Sequence, residues 1–293
     1  MPIVPCFDPS TGSSGGPQGG GGGGGGGGNM PPWETLGHIK FKNQTPQDYT
    51  NLFSQVNFSL VDESGRTISG QLSRTVTNQN ASRQGWDASR GFYTELIATA
   101  TNSSVRMCLP LPFEPGVTVN QNDDVRITLI GKINLPAAGN NCYWLPAIPF
   151  VGSESSGSYG IKALRLAASA AILNFRSGSS SSPSIDQSQS FPLDAVQGLH
   201  EVEVVLFWPR YSTRAYCTFR KVGEETFWAA YMGQDSQSPV LFPTVSSSSG
   251  TPSPWQTRDR YHLLHSIYNG AVNGLNQQFS HIYEVKFERR TLP

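Results

Sequence analysis

The sequence predicts an all-β protein: an antiparallel β-sandwich or jelly roll carrying a disordered glycine-rich N-terminal arm. Three observations carry that expectation. Apolar and polar residues alternate with period two in about a dozen segments, spaced by roughly 8–15 residues, as in sandwiches and barrels. Helix signals are scarce. Ten consecutive glycines, Gly19–Gly28, separate a short head from everything after them.

The glycine run comes first in the chain. Glycine loses the most backbone freedom on ordering, so such a run resists fixed structure. The residues before 32 also include Pro2, Pro5, Pro9 and Pro17 and offer almost nothing to bury. Residues 1–32 are therefore expected to be an arm, and residues 33–293 one β-sandwich domain. The arm carries a single side-chain charge, Asp8, so it is not a basic nucleic-acid tail. It reads as a spacer for a short anchor at Ile3–Phe7.

The elements of the body follow in order. Pro46–Phe53 suits a short helix, with Thr45 as N-cap and Pro46 at its first position. Gln55–Leu72 alternates around Asp62-Glu63-Ser64-Gly65 and predicts a hairpin. Thr94–Ala98 and Ser104–Leu109 flank a turn-like pause at Thr101-Asn102-Ser103. Asn120–Asp124 reads as a turn that opens a long strand through Val125, Ile127, Leu129 and Ile133. Tyr143–Val151 is apolar but holds Pro146 and Pro149, which restrict it to an edge, a bulge or a covering loop. Ala163–Leu173 fits helix or strand. Ser177–Ser190 reads as a long exposed loop within the sandwich. Glu201–Leu206, Arg214–Lys221 and Thr226–Tyr231 are strands, the last two joined at Val222-Gly223-Glu224-Glu225. His281–Arg289 closes the body, with Ile282, Val285 and Phe287 as its apolar members.

Composition narrows the function classes. Charged residues are 14% of the chain and the formal net charge is zero. A neutral chain has no global field to steer it to nucleic acid or anionic membrane, and little self-repulsion. No apolar window is long enough to span a bilayer. The start Met1-Pro2-Ile3-Val4 lacks the features of a secretory signal. Cys6, Cys108, Cys142 and Cys217 are widely and irregularly spaced, which suits free thiols in a reducing compartment. The N-x-S/T sequons at Asn43, Asn57, Asn80 and Asn102 are expected by chance in a chain so rich in these residues.

Chemistry-bearing motifs are absent: no phosphate loop, nucleophile elbow, zincin helix or dinucleotide fingerprint occurs. Glu201 and Glu203 share a strand face, as a retaining glycosidase pair would, but outward solvated alternation explains them equally. Asp123 and Asp124, with Asn120 and Asn122, offer oxygens to calcium or form an Asx-rich turn. His262 and His265 fall on opposite faces of a strand and do not suit a shared metal. No catalytic residue, metal site or cofactor is expected, and the chain is read as a non-enzyme.

Aromatics and arginines interleave between Phe207 and Tyr231. Within that stretch Trp208, Arg210, Tyr211, Trp228 and Tyr231 are the candidate ligand-binding residues. Such groups suit a sugar-stacking platform or a subunit contact.

The layout of a glycine-rich arm followed by a β-rich body with few charges and long Ser/Pro/Gly loops resembles that of non-enveloped viral coat or attachment proteins. The resemblance covers the whole chain and rests on layout alone. It implies a structural protein that assembles with itself into a symmetric oligomer or shell, located in the virion, with a host glycan or receptor as a further partner. The missing Arg/Lys-rich arm departs from many coat proteins. Asp124–Pro149, Leu199–Lys221 and the tail Ile282–Glu288 also resemble the sheets of concanavalin-like lectins and laminarinase-type enzymes. The acidic E-x-D-x-x-E strand of those enzymes is absent, so this second resemblance implies glycan binding rather than cleavage.

Overall fold

The computed structural model describes residues 30–41, 56–61, 63, 65, 67–77, 82–96, 103–110, 123–135, 142–150, 160–166, 171–179, 182–191, 198–209, 215–232, 262–269 and 278–291. The arm before residue 30 and the expected helix at Pro46–Phe53 lie outside the described residues. The strands are β1 (Glu34–Lys40), β2 (Val56–Val61), β3 (Thr67–Thr77), β4 (Ser82–Asp87), β5 (Gly91–Leu96), β6 (Ser103–Pro110), β7 (Asp123–Leu135) and β8 (Cys142–Phe150). They continue with β9 (Gly160–Leu166), β10 (Ala171–Ser179), β11 (Ser182–Phe191), β12 (Gly198–Trp208), β13 (Ala215–Lys221), β14 (Phe227–Met232), β15 (His262–Asn269) and β16 (Gln278–Thr291).

These strands form two antiparallel sheets. The first runs β14-β13-β12-β7-β16-β5-β4, with β1 added beside β16. The second runs β11-β10-β9-β8-β15-β6-β3-β2. They pack together as a sandwich, β14 meeting β10 and β11, and β5 meeting β6 and β15. The expected antiparallel β-sandwich is the observed fold.

Alternation explains the first sheet. In β7, Val125, Ile127, Leu129, Gly131 and Ile133 are buried, and the residues alternating with them are half-exposed. Across the ladder Val204 stands opposite Leu129, and Val285 stands opposite Leu129 from the other side. Directly opposite residues share a face, so β7, β12 and β16 give one apolar surface to the core. Each such side chain contributes roughly 1.5–3 kcal/mol on burial.

The central strand β16 is long because it has two partners on one edge. Its first half pairs with β5 and its second half with β1, while β7 runs along the other edge. A register shift between Ile282 and Glu284 leaves Tyr283 as an extra residue. Gly91 sits at this junction with φ 67°, and a Cβ there would overlap the carbonyl oxygen of Ile282.

Several expectations meet the structure here. The hairpin at Gln55–Leu72 is present as β2–β3, with Val61 opposite Thr67. Pro146 falls where the β8–β15 register shifts, and Pro149 lies beyond the part of β8 that pairs with β9. Proline lacks the N–H a ladder needs, so it is tolerated there. Ala163–Leu173 is strand at both ends, in β9 and β10. Three readings are corrected. Ser177–Ser190 is no loop; it is most of a β10–β11 hairpin, with Arg176 opposite Asp186. Tertiary pairing overrides the weak strand propensity of serine. Ser103, read as the end of the Thr101-Asn102-Ser103 pause, opens β6 instead, and Thr101 and Asn102 lie outside the described residues. Asp123 and Asp124 belong to β7 and are buried, not part of a turn.

Candidate functional site

Of the predicted ligand residues, Trp208 is the one whose side chain is described. Trp208 ends β12 opposite Val125 and is 1% exposed. It follows the inward series Val202, Val204 and Leu206, so it is core rather than a stacking platform. Arg210 and Tyr211 lie outside the described residues. Trp228 and Tyr231 are on β14, opposite Phe219 and Tyr216, and their side chains lie outside the described residues. Glu203 pairs with Arg220 at 2.8 Å, and Glu201 is exposed, as a solvated strand face requires.

The structure instead gathers charge and aromatics on the outer face of the first sheet, in two groups. The first lies at the start of β7. Asp124 stands opposite Arg290, and Arg126 opposite Glu288. Arg290 donates to Asp124 from Nε at 3.0 Å and from Nη2 at 2.5 Å. Arg126 donates to Glu288 from Nε at 2.8 Å, and Lys286 Nζ lies 2.7 Å from the other Glu288 oxygen. Thr291 donates to Asp123 at 2.7 Å. Asp124, Glu288 and Arg290 are all buried. Burial of charge is tolerated only with such pairing. Trp33, half-buried, lies across the group. The guanidinium of Arg126 is 4.3 Å from its ring centroid and that of Arg290 is 4.6 Å. Phe207 meets it edge-on at 5.9 Å and stacks in turn on Tyr216. This ion ladder turns the Asp124 carboxylate to a cation of the chain itself, Arg290.

The second group lies at the other end of β16. Tyr93 stands opposite His281, and Glu95 opposite Phe279. On the other side β7 places Lys132 opposite His281 and Asn134 opposite Phe279. His281 donates from Nε2 to Glu95 at 3.1 Å, and Arg90 reaches the same oxygen at 3.2 Å. Phe279 stacks on His281 with centroids 4.2 Å apart, and the Arg90 guanidinium covers the Tyr93 ring at 3.6 Å. Arg90 is set by the β4–β5 turn. There Asp87 accepts from the Ser89 and Arg90 amides and from Arg90 Nε at 2.6 Å.

Electrostatics follow from this geometry. Burial alone would raise the Glu95 carboxyl. The His281 hydrogen bond and the Arg90 charge outweigh it and hold the carboxyl below the ordinary range. Asp87 also resists its partial burial; hydrogen bonds from Arg90 and Ser89 bring it down to about 2. Both acids are thus poised as carboxylates that orient donors. Glu95 and His281 are themselves buried, 2% and 7% exposed, whereas the Phe279 ring, Lys132 and Asn134 are half-exposed and form the accessible part of the group.

Sequence reasoning missed both groups. Arg126, Glu288 and Arg290 are visible only as polar positions in alternating strands, and Glu95 as an acid within an apolar run. Among the described residues no cluster of three or more potential metal ligands occurs. No described helix is long and apolar enough to cross a membrane.

No protein-family model matches the chain, and no curated protein matches it. Solved structures do resemble it at a distance. An endo-1,3-β-glucanase from Streptomyces sioyaensis aligns with TM-score 0.41 and 10% identity, over 90% of this chain and 100% of that one. The winged bean acidic lectin, solved with methyl-α-D-galactose, aligns with TM-score 0.40 and 9% identity, over 87% and 99%. The binding domain of botulinum neurotoxin serotype C1 aligns with TM-score 0.41 and 12% identity, over 87% of this chain and 49% of that one.

Proposed function

We propose that this chain is a non-catalytic glycan-binding β-sandwich, with the Phe279–His281–Glu95 group as its binding site. One observation carries this reading. A ring, an imidazole and a fixed carboxylate stand in adjacent ladder positions, flanked by Lys132 and Asn134. Sugars need planar donors and acceptors for their hydroxyls and an aromatic face for their C–H edges. The zero net charge also suits a neutral polar ligand. The two acids at this corner, Asp87 and Glu95, do not themselves suit a cleaving role. A glycosidase needs one carboxyl held protonated, its pKa raised. Glu95 and Asp87 shift the other way.

The test is a glycan array on the full chain, followed by titration calorimetry with the best hit. Phe279→Ala is expected to weaken that hit at least tenfold with the fold intact. A folded protein that binds no glycan sinks the proposal.

The second reading is a self-assembling coat or attachment protein of a virion. The observation favouring it is the placement of Met30–Trp33. Trp33 lies over the outer face of the first sheet, a face open to a neighbouring copy in an assembly. Light scattering after size-exclusion chromatography separates the two. A large symmetric particle supports the coat; a monomer removes it.

A further inference from the structure

We infer that Met30–Trp33 is a strap, and that Trp33 anchors the root of the glycine-rich segment to the outer face of the first sheet. The segment 1–29 carries ten successive glycines and few apolar residues. Its sequence offers little to hold it. The first described residues are Met30, exposed, and Pro31–Pro32, whose fixed φ angles stiffen the approach. Among the described residues, Trp33 follows with ring contacts to the sheet.

Its seat is built, not incidental. Two guanidinium groups face the ring, from Arg126 on β7 and Arg290 on β16. Each is aimed by a carboxylate on the other strand: Glu288 holds Arg126, and Asp124 holds Arg290. Trp33 is thereby tied to the two central strands of the sheet. Phe207 on β12 closes the seat from a third strand.

The following strand shows why an anchor matters. β1 pairs with β16 from Glu34↔Arg289 to Lys40↔Glu284. On its other side, the described backbone bond is the one from the Glu63 amide to the His38 carbonyl, at 2.8 Å. Tension on the segment would unzip β1 from its Glu34 end, one hydrogen bond at a time. Trp33 stands at that end, with the Arg289–Glu34 pair (2.7 Å) beside it. Any load from residues 1–29 meets the clamp before it meets the strand. The clamp also fixes where the segment starts. This holds whether the segment serves a lectin or a coat.

The experiment is amide hydrogen exchange on the full chain as wild type, Trp33→Ala and Trp33→Phe. Two cation–π contacts of this kind together correspond to about tenfold in local opening. Trp33→Ala is expected to speed exchange in β1 about tenfold, Trp33→Phe by less, and neither to change β12. Equal β1 exchange in wild type and Trp33→Ala overturns the inference. So does acceleration of β12 in step with β1, because Trp33 would then support the whole sandwich. Wild-type β1 exchanging like a free peptide overturns it too.

Discussion

Removing Arg290 offers the sharpest test of the ion ladder. Its guanidinium is 7% exposed and its partner Asp124 3% exposed, with two N–H groups on one carboxylate oxygen. Arg290→Ala takes the facing cation from a buried charge. Breaking such a pair costs about 3–5 kcal/mol, and the lost stacking on Trp33 adds about 0.5–1. For a chain of this size each kcal/mol lowers Tm by about 2–4 °C, so a fall of about 10 °C or more is expected. The double variant Asp124→Leu with Arg290→Met removes both charges and keeps the volume. It should recover most of the loss, since replacing a buried pair by apolar residues is often neutral or stabilising. Urea unfolding of the wild type, Asp124→Leu, Arg290→Met and the double variant completes the cycle. A loss under about 1 kcal/mol for Arg290→Ala, or a double variant no better than the sum of its singles, refutes the assignment of the ladder as a coupled buried pair.

Two further predictions concern the β4–β5 corner. Gly91→Ala should cost about 2 kcal/mol or more, because it combines a positive φ with overlap of the Ile282 carbonyl; unchanged thermal unfolding would contradict the close approach. The acids Asp87 and Glu95 have folded-state pKa values below their unfolded ones. Their stabilisation is therefore full above about pH 4.5 and is lost as pH falls through the folded values, about 2 for Asp87. Asp87→Asn should flatten the stability profile between about pH 4 and 2, by about 1 kcal/mol after allowing for solvent screening; a profile as steep as wild type would show that Asp87 is not the titrating group.

The sandwich was legible because alternation is local. Val125, Ile127 and Leu129 mark their own strand, and so do Ile282, Val285 and Phe287. Gly65 and Gly223, both at positive φ, sit in turns that sequence also marked. Ser177–Ser190 was misread because serine has no strong strand preference, and the pairing of β10 with β11 decides its state. Trp208 was misread because Pro209 suggested a turn. Counting by twos from Val202 would have placed its side chain inward.

The sequence by itself determined an all-β body, its main strands, its neutrality and the glycine-rich segment ahead of it. Those properties depend on neighbours within a few residues. Tertiary structure alone decided which charges meet. Glu95 reaches His281 across 186 positions, Arg290 reaches Asp124 across 166, and Arg126 reaches Glu288 across 162. Such pairs are fixed by strand order and register, which the two-residue period cannot encode. It was likewise the fold that brought Arg126 and Arg290 to Trp33, the point where the glycine-rich segment joins the body.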